Sequence, residues 1–170
     1  MPILLENLAK AASRRTLEKA ATITEAAAAG RRTIFICHSH DDHRYVEGLI
    51  AYLQDAGMDP YVDWQDTSMP SSPNSTTAEK IKERIQRAEL FMFLATPNSV
   101  KSRWCPWEIG YADGVKNLDS IFVVTTRDNG GNAYGNEYLG LYRHLDVAAT
   151  GDLAAWEPGD RSYGVLAKKL

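Results

Sequence analysis

The chain of 170 residues lacks the features that mark several large classes of protein. It has two cysteines, Cys37 and Cys105, and neither lies in a Cys-x-x-Cys pair, so a framework of disulfides is excluded and a reducing compartment is expected. No apolar run approaches the roughly 20 residues of a membrane span, and the N-terminus lacks the apolar core of a signal peptide. The formal net charge of -3 gives no overall attraction to nucleic acid or to an anionic membrane. We therefore expect a cytoplasmic protein that binds neither.

The first thirty residues differ in composition from the rest of the chain. Residues 1–30 are rich in alanine and carry both signs of charge, and their leucines fall at a helical spacing that ends at Gly30. We interpret them as a helical extension that either packs against the main domain or serves as an oligomerisation arm. The hydrophobic content of 44 % suits one well-packed core, so residues 31–170 are assigned to a single domain.

From residue 31 onward, short apolar runs alternate with amphipathic segments. This alternation predicts an α/β fold, in which helices cover both faces of a parallel sheet. Ligands of such sheets bind beyond the carboxyl ends of the strands, where loops from distant parts of the chain meet. The predicted strands are residues 33–37, 61–63, 90–96 and 121–126. The predicted helices run from about 46 to Gly57, from about 76 to 88, from Pro106 onward, and near 162–170.

Glu108 is the first candidate catalytic residue, because of its position. It follows the strand at 90–96 through a polar loop, and Pro106 suits the first turn of a helix. The helix dipole is expected to favour an ionised carboxylate there, which suits a reaction that develops positive charge. Trp104, four residues earlier, is placed to cover a bound ligand. Trp107 and Tyr111 are predicted to be core contacts of the same helix.

The string HSHDDH at residues 38–43 allows a second interpretation. It matches the HxHxDH metal signature of metallo-β-lactamase-like hydrolases, in which zinc generates a hydroxide nucleophile. Such a site needs further histidines from later loops, and only His144 of the four histidines lies downstream. The alternative interpretation is that Ser39 or Asp41 caps the next helix, that Asp42 lies in its first turn, and that the histidines after His38 are solvated.

Three segments together resemble the sequence boxes of the Toll/interleukin-1 receptor (TIR) domain. They are FICHS at 35–39, YVDW at 61–64 and SVKSRWCPWE at 99–108, in matching order and spacing. The resemblance covers about residues 31–146, and its most specific part is the Ser-x-x-Ser-x-Trp-Cys-x-x-Glu pattern. The continuation WEIGYADG most resembles bacterial members. The resemblance implies a flavodoxin-like, three-layer fold with a central five-stranded parallel sheet.

The resemblance also implies a reaction. Many TIR domains cleave NAD+ between nicotinamide and ribose, and their catalytic glutamate corresponds to Glu108. Nicotinamide leaves as a neutral molecule, so the barrier is largely that of an oxocarbenium-like ribose, which a fixed carboxylate can stabilise. NAD+ is then the substrate, and neither a cofactor nor a metal is implied. The substrate-binding positions that match the family are His38, Ser39, Asp63, Trp64, Asp66 and Trp104.

The chain departs from the family pattern at two points. Cys37 stands where the family usually has serine or threonine, and we expect it, like Cys105, to be a packing residue. The loop that follows the second strand contains MPSSPNS at 69–75 and lacks the glycine common there. Its contacts, and its part in assembly, therefore stay open.

The leading hypothesis is an NAD+ glycohydrolase or ADP-ribosyl cyclase, with transfer to another acceptor as a variant, acting in bacterial, anti-phage immunity. Self-association through TIR surfaces and a separate effector that responds to the nucleotide product are the expected partners. The alternatives are a non-catalytic TIR scaffold, a nucleoside deoxyribosyltransferase-like enzyme of the same fold, and the zinc hydrolase. Retention of Glu108 and Trp104 argues against the scaffold, and the SRWCPWE context argues against the transferase.

Overall fold

The computed structural model describes residues 1–13, 30, 32–58, 61–62, 75–135 and 137–170. Within these residues the chain alternates strands and helices, as its sequence predicts. The strands are β1 (Ile3–Leu4), β2 (Thr33–Cys37), β3 (Tyr61–Val62), β4 (Leu90–Leu94), β5 (Ile121–Val124), β6 (Thr126–Arg127), β7 (Ala133–Tyr134), β8 (Arg143–Val147), β9 (Leu153–Trp156) and β10 (Val165–Leu166). The α-helices are α1 (Leu5–Ala12), α2 (His43–Asp55), α3 (Ser75–Arg87), α4 (Pro97–Lys101) and α5 (Cys105–Val115). Short 3₁₀ turns lie at His40–Asp42, Leu118–Ser120, Glu137–Leu141 and Ala167–Lys169.

The main sheet has the strand order β10-β9-β8-β5-β4-β2-β3. Strands β3, β2, β4, β5 and β8 are parallel, whereas β9 and β10 add to one side in antiparallel pairing. Numbered in chain order, the parallel strands have the order 2-1-3-4-5, which is that of flavodoxin-like folds. The predicted fold class and its five parallel strands are confirmed, and the two antiparallel strands are an addition to them.

The core lies on both faces of this sheet, because successive strand residues point to opposite sides. Ile34 and Ile36 of β2 pack in a cluster with α1 and α2, whereas Phe35 and Cys37 pack in a second cluster with α3 and α5. Strands β4 and β5 divide their side chains in the same way. The result is the expected three-layer arrangement of helices, sheet and helices.

The N-terminal residues form part of this structure. Their pattern predicts helix alone, but Ile3–Leu4 instead forms β1, which pairs with β6, and α1 follows it. Helix α1 packs on α2 so closely that a Cβ built on Gly48 lies 2.0 Å from the backbone oxygen of Leu8. Residues 14–29 lie outside the described residues, so the domain boundary at residue 30 stays a prediction.

The C-terminal residues differ from the prediction. The helix expected near 162–170 is absent, and Val165–Leu166 instead pairs with β9, followed by a 3₁₀ turn. A Cβ on Gly164 would lie 2.9 Å from the ring of Trp156, so this segment fits flat against its neighbour only without a side chain there. Pairing with a distant strand overrides the local helical spacing.

Candidate active site

The predicted site lies where β2 and β4 end, because parallel strands bring their carboxyl ends to one edge of the sheet. Residue Cys37 ends β2 opposite Phe93 of β4, and the loop after each strand leads into a helix. A hydrogen-bond network joins the two loops. Thr96 begins α4 with a capping box, in which its hydroxyl accepts from the backbone of Ser99 and the hydroxyl of Ser99 accepts from the backbone of Thr96.

Asp42 connects the loop after β2 to this capping box. Its side chain is fully buried, and its carboxylate accepts from the hydroxyl of Thr96 at 2.6 Å and from the amide of Asn98 at 2.7 Å. The sequence predicts Asp42 in the first turn of the next helix, whereas it lies in the 3₁₀ turn before α2 and its side chain caps neither element. No local sequence signal predicts this role for Asp42, because its partners are 54 and 56 residues away.

This geometry bears on the zinc interpretation. Both carboxylate oxygens of Asp42 are occupied by hydrogen bonds, and His144 lies on β8, three strand positions or about 14 Å across the sheet from β2. His40 and His43 contact each other, with Nδ1 and Nε2 3.3 Å apart. Within the part of the chain that the structure describes, no three histidine, cysteine, aspartate or glutamate residues are arranged to hold a metal ion. Among the described residues, no further histidine or carboxylate joins the HxHxDH string to complete a zinc site.

Glu108 lies in the first turn of α5, as the sequence predicts. The start of the helix is fixed by Ser102, whose hydroxyl accepts from the backbone N–H of Trp104 at 3.1 Å and of Cys105 at 3.3 Å. Pro106 occupies the first turn, where a backbone N–H has no helical partner. The Ser-x-Trp-Cys-Pro spacing thus orients the turn that carries Glu108.

Glu108 is only 8 % exposed, and burial raises the pKa of its carboxyl to about 7. The opposing effect on the pKa is a hydrogen bond from the thiol of Cys37. The position of Glu108 at a helix start predicts that the helix dipole favours its ionised form, but loss of hydration outweighs the dipole here. A carboxyl group whose pKa is raised towards neutrality by burial is typical of catalytic residues.

The structure brings Cys37, Cys105 and Glu108 together. Both thiols are free and buried, and that of Cys37 lies 3.7 Å from the backbone oxygen of Cys105. Cys37 is buried in the apolar cluster that packs between the sheet and α5, which agrees with its predicted packing role. Burial is the main reason why the pKa of its thiol is raised, and the neighbouring Glu108 adds to this effect.

His38 is half-buried beside Cys37, and its ring Nδ1–H donates to the backbone oxygen of Ile36 at 2.7 Å. Burial lowers the pKa of His38, with the bond to Ile36 acting in the opposite direction. The ring also meets His43 edge-on, with centroids 5.7 Å apart. Ser39 follows in extended conformation and is half-buried. Both residues therefore lie at the predicted edge of the sheet.

Trp104 directly precedes α5, and its half-buried ring meets Trp107 edge-on with centroids 5.4 Å apart. Trp107 in turn stacks on Tyr111, and the ammonium of Lys82 lies over both of their rings. Trp107 is 36 % exposed, so the prediction that it is a core contact is wrong. Trp107 and Tyr111 lie on the side of α5 that faces away from the core. The side that faces the core carries the buried residues Cys105, Glu108, Ile109 and Ala112.

The remaining candidates, Asp63, Trp64 and Asp66, lie outside the described residues. The site described above is therefore formed by the end of β2, the loop after β4 and the first turn of α5.

None of the described helices is long and apolar enough to cross a membrane.

Comparisons with known proteins identify the family to which the chain is similar. Residues 34–156 match the model of the TIR domain. The chain is 39 % identical over 114 residues to a protein of Bacillus cereus (strain MSX-D12) named "Probable 3' cyclic ADP-D-ribose synthase ThsB'", which covers 66 % of this chain and 59 % of that protein. It is 27 % identical over 82 residues to the "Putative cyclic ADP-D-ribose synthase TIR2" of Cytobacillus dafuensis, covering 46 % of this chain and 22 % of that protein. The chain thus spans less than two thirds of the length of either relative.

Proposed function

Because the chain belongs to the TIR domain family, we propose that it cleaves the bond between nicotinamide and ribose in NAD+ and forms a cyclic ADP-ribose. The observation that carries this proposal is Glu108, a buried carboxyl with a pKa of about 7 at the carboxyl edge of the parallel sheet. The names of two relatives, both cyclic ADP-ribose synthases, support the cyclic product.

The proposed chemistry needs little beyond one fixed charge. When the C1′–N bond breaks, its electron pair goes to the nicotinamide ring, whose positive charge it neutralises. The ribose then carries an oxocarbenium-like positive charge, which the buried carboxylate of Glu108 stabilises. A hydroxyl group of the same molecule adds to C1′ and loses its proton, which gives the cyclic nucleotide. Water in its place gives free ADP-ribose.

The other residues have positioning roles in this proposal. Trp104 offers an aromatic surface on which the nicotinamide ring can stack, and His38 and Ser39 border the nucleotide from the end of β2. Asp63, Trp64 and Asp66 stay predicted substrate contacts. Four further predictions stay predictions. They are a role in bacterial, anti-phage defence, self-association through TIR surfaces, a separate effector that responds to the product, and a cytoplasmic location.

Nicotinamide release from NAD+ tests the proposal. We expect the purified protein to release nicotinamide and a cyclic ADP-ribose, separated by chromatography, at low and at high protein concentration. Glu108→Gln keeps the shape but removes the charge, and we expect the rate to fall by about 100-fold or more. Glu83→Gln, which changes an exposed glutamate on α3, is the matched control and should keep the parent rate.

Two results would contradict the proposal. One is an intact NAD+ pool after incubation with the concentrated parent protein. The other is a Glu108→Gln variant that works as fast as Glu83→Gln. A product that consists of ADP-ribose alone would keep the cleavage and reject the cyclisation.

A further inference from the structure

Asn98 is an exposed residue whose side chain is nevertheless held in one orientation. It lies in the first turn of α4, just beyond the end of β4, and its amide Nδ2 donates to the carboxylate of Asp42 at 2.7 Å. Asp42 is fully buried and also accepts from the hydroxyl of Thr96 at 2.6 Å. An exposed side chain ordinarily keeps its rotamer freedom, which is lost when it is held in place. Here a buried group orients an exposed one.

The carboxylate of Asp42 determines which end of the Asn98 amide faces it, because a carboxylate offers only acceptors. The N–H end faces Asp42, so the amide oxygen points away from it. Hydrogen bonds in a chain polarise one another, and donation to a carboxylate therefore makes this oxygen a better acceptor. No residue in the described part of the chain donates to it, and the backbone N–H groups of Asn98 and Ser99 are taken by the hydroxyl of Thr96. What this turn offers to a ligand is the amide oxygen of Asn98.

The position of Asn98 places this oxygen at the edge of the sheet where the proposed active site lies. Helix α4 contacts both the 3₁₀ turn His40–Asp42 and α5, which carries Glu108. The 3₁₀ turn directly follows His38 and Ser39, which are predicted substrate contacts. Asn98 thus belongs to the short helix that joins the two parts of the chain from which the site is formed.

We infer that Asn98 is a further substrate-binding residue, whose amide oxygen accepts a hydrogen bond from a ribose hydroxyl of NAD+, and that Asp42 positions it. This inference deepens the proposed function and rests on it for the identity of the ligand. A ribose hydroxyl fits because it can donate, whereas the phosphates of NAD+ offer only acceptors. A group that binds a ligand precisely needs further hydrogen bonds that fix its own orientation, and Asp42 supplies one to Asn98.

The first experiment measures kcat and KM for NAD+ cleavage in the parent, Asn98→Ala, Asp42→Asn and Asn117→Ala. Loss of a hydrogen bond that is equally strong in the ground state and in the transition state raises KM and leaves kcat unchanged. We expect KM to rise about 3- to 10-fold in Asn98→Ala, which is the usual effect of one such bond. Damage to the fold would instead lower kcat, because fewer molecules would be active, and would leave KM unchanged.

Asn117→Ala is the matched control. Asn117 is an exposed asparagine that precedes β5 at the opposite edge of the sheet, where its side chain accepts from the backbone of Asp119. Its KM should equal that of the parent. A parent-like KM in Asn98→Ala, or a rise as large in Asn117→Ala, would overturn the inference.

The positioning role of Asp42 is tested by combining substitutions. Asp42→Asn replaces one acceptor oxygen by a donor, so the Asn98 amide is oriented less well and KM should rise. The same substitution should raise KM much less in a protein that already carries Asn98→Ala. Equal effects in both backgrounds would reject the positioning role. If Asp42→Asn does not fold, Asn98→Asp replaces it, because Asp42 repels the new carboxylate; a parent-like KM there rejects the role as well.

A binding measurement separates this inference from the proposed function. Calorimetry gives the Kd of NAD+ for Glu108→Gln, with and without Asn98→Ala. A Kd that rises about 3- to 10-fold on loss of the amide supports the inference even if the parent does not cleave NAD+. A parent that cleaves NAD+, with KM and Kd independent of Asn98, keeps the proposed function and rejects the inference. NAD+ that neither binds nor reacts rejects both.

Analogues of NAD+ that each lack one ribose hydroxyl test the group assigned to Asn98. The analogue without the bound hydroxyl should bind to Glu108→Gln about as weakly as NAD+ binds to the protein with both substitutions. Adding Asn98→Ala should then weaken its binding no further. If the losses are additive for every ribose hydroxyl, the amide contacts no ribose hydroxyl and the inference is overturned.

Discussion

At the scale of single residues, Glu108 is placed where its charge is costly. Its carboxyl is almost completely removed from water, and its folded pKa of about 7 lies above the usual value of 4.5. The neutral form is therefore the one that the fold favours, whereas the proposed reaction uses the charged form. Stability and activity oppose each other at this residue, as they often do in active sites.

Glu108→Gln should therefore stabilise the protein in a pH-dependent way. With a folded pKa above the unfolded one, the stability linked to the neutral carboxyl is fully present below about pH 4.5 and is lost as pH rises through 7. A glutamine stays neutral, so we expect the variant to exceed the parent by about 2–3 kcal/mol at pH 8 and by little at pH 5. Denaturant unfolding at both values measures the difference. The same advantage at both pH values would show that burial does not set the pKa.

The two carboxylates of the site show how far sequence reasoning reaches. The position of Glu108 was predictable, because a strand, Pro106 and the helix start are all local signals, and the structure keeps them. Its raised pKa was not, since burial depends on residues packed from elsewhere. Asp42 was misjudged for the same reason, because its hydrogen bonds to Thr96 and Asn98 join segments that are distant in sequence.

At the scale of elements, the contact between α1 and α2 depends on the absence of a side chain. Gly48 lies within α2 and is buried against the backbone of Leu8, whose own side chain is fully buried. Backbone atoms cannot rotate away as a flexible side chain can. The sequence pattern showed the apolar stripes of the two helices but could not show this close approach.

Gly48→Ala is expected to lower the free energy of unfolding by about 2–4 kcal/mol, because α1 must move off α2 to make room. Denaturant unfolding measures the loss, and faster amide hydrogen exchange over residues 5–12 locates it. Gly114→Ala is the control, since this helical glycine of α5 has open space around its Cβ position. Alanine there should be neutral or slightly stabilising. Similar losses in both variants would contradict the packing explanation.

The strands and helices that were predicted correctly have strong local patterns, whereas the C-terminal residues do not. The runs at 33–37 and 90–94 are apolar throughout and became central strands buried on both faces. The segment near 162–170 has a weak helical spacing, but its strand pairing with β9 decides its structure. The segment after β4 is predicted to be a polar loop, whereas it contains the five-residue helix α4, which a capping box begins.

At the scale of the whole molecule, Asp146 ties the sheet to segments from both ends of the described chain. It is fully buried on β8, and its carboxylate accepts from the indole of Trp156 and the guanidinium of Arg161, each at 2.8 Å. The N-terminal ammonium of Met1 lies 3.2 Å away. A single charge thus fixes elements that add to the flavodoxin-like core from outside.

Asp146→Ala should destabilise the whole fold by about 2–3 kcal/mol, because it leaves the half-buried indole N–H of Trp156 and the guanidinium of Arg161 without their fully buried acceptor. We expect a lower melting temperature and faster hydrogen exchange at both β1 and β10. Asp152→Ala removes an exposed carboxylate that bonds to Thr150 and should change the stability by less than about 0.5 kcal/mol. If amide hydrogen exchange became faster at β10 but not at β1, Asp146 would not connect the two ends of the described chain.

The buried bonds of Asp42 have a consequence for crystallography of the site. They join the loop after β2 to the start of α4. A shift of one loop relative to the other would leave the buried carboxylate of Asp42 without its hydrogen-bond donors, which is energetically costly. These two loops should therefore superpose in crystals grown with and without a nucleotide. They offer a fixed frame for aligning successive states of the reaction, against which movements of the remaining parts of the site can be measured.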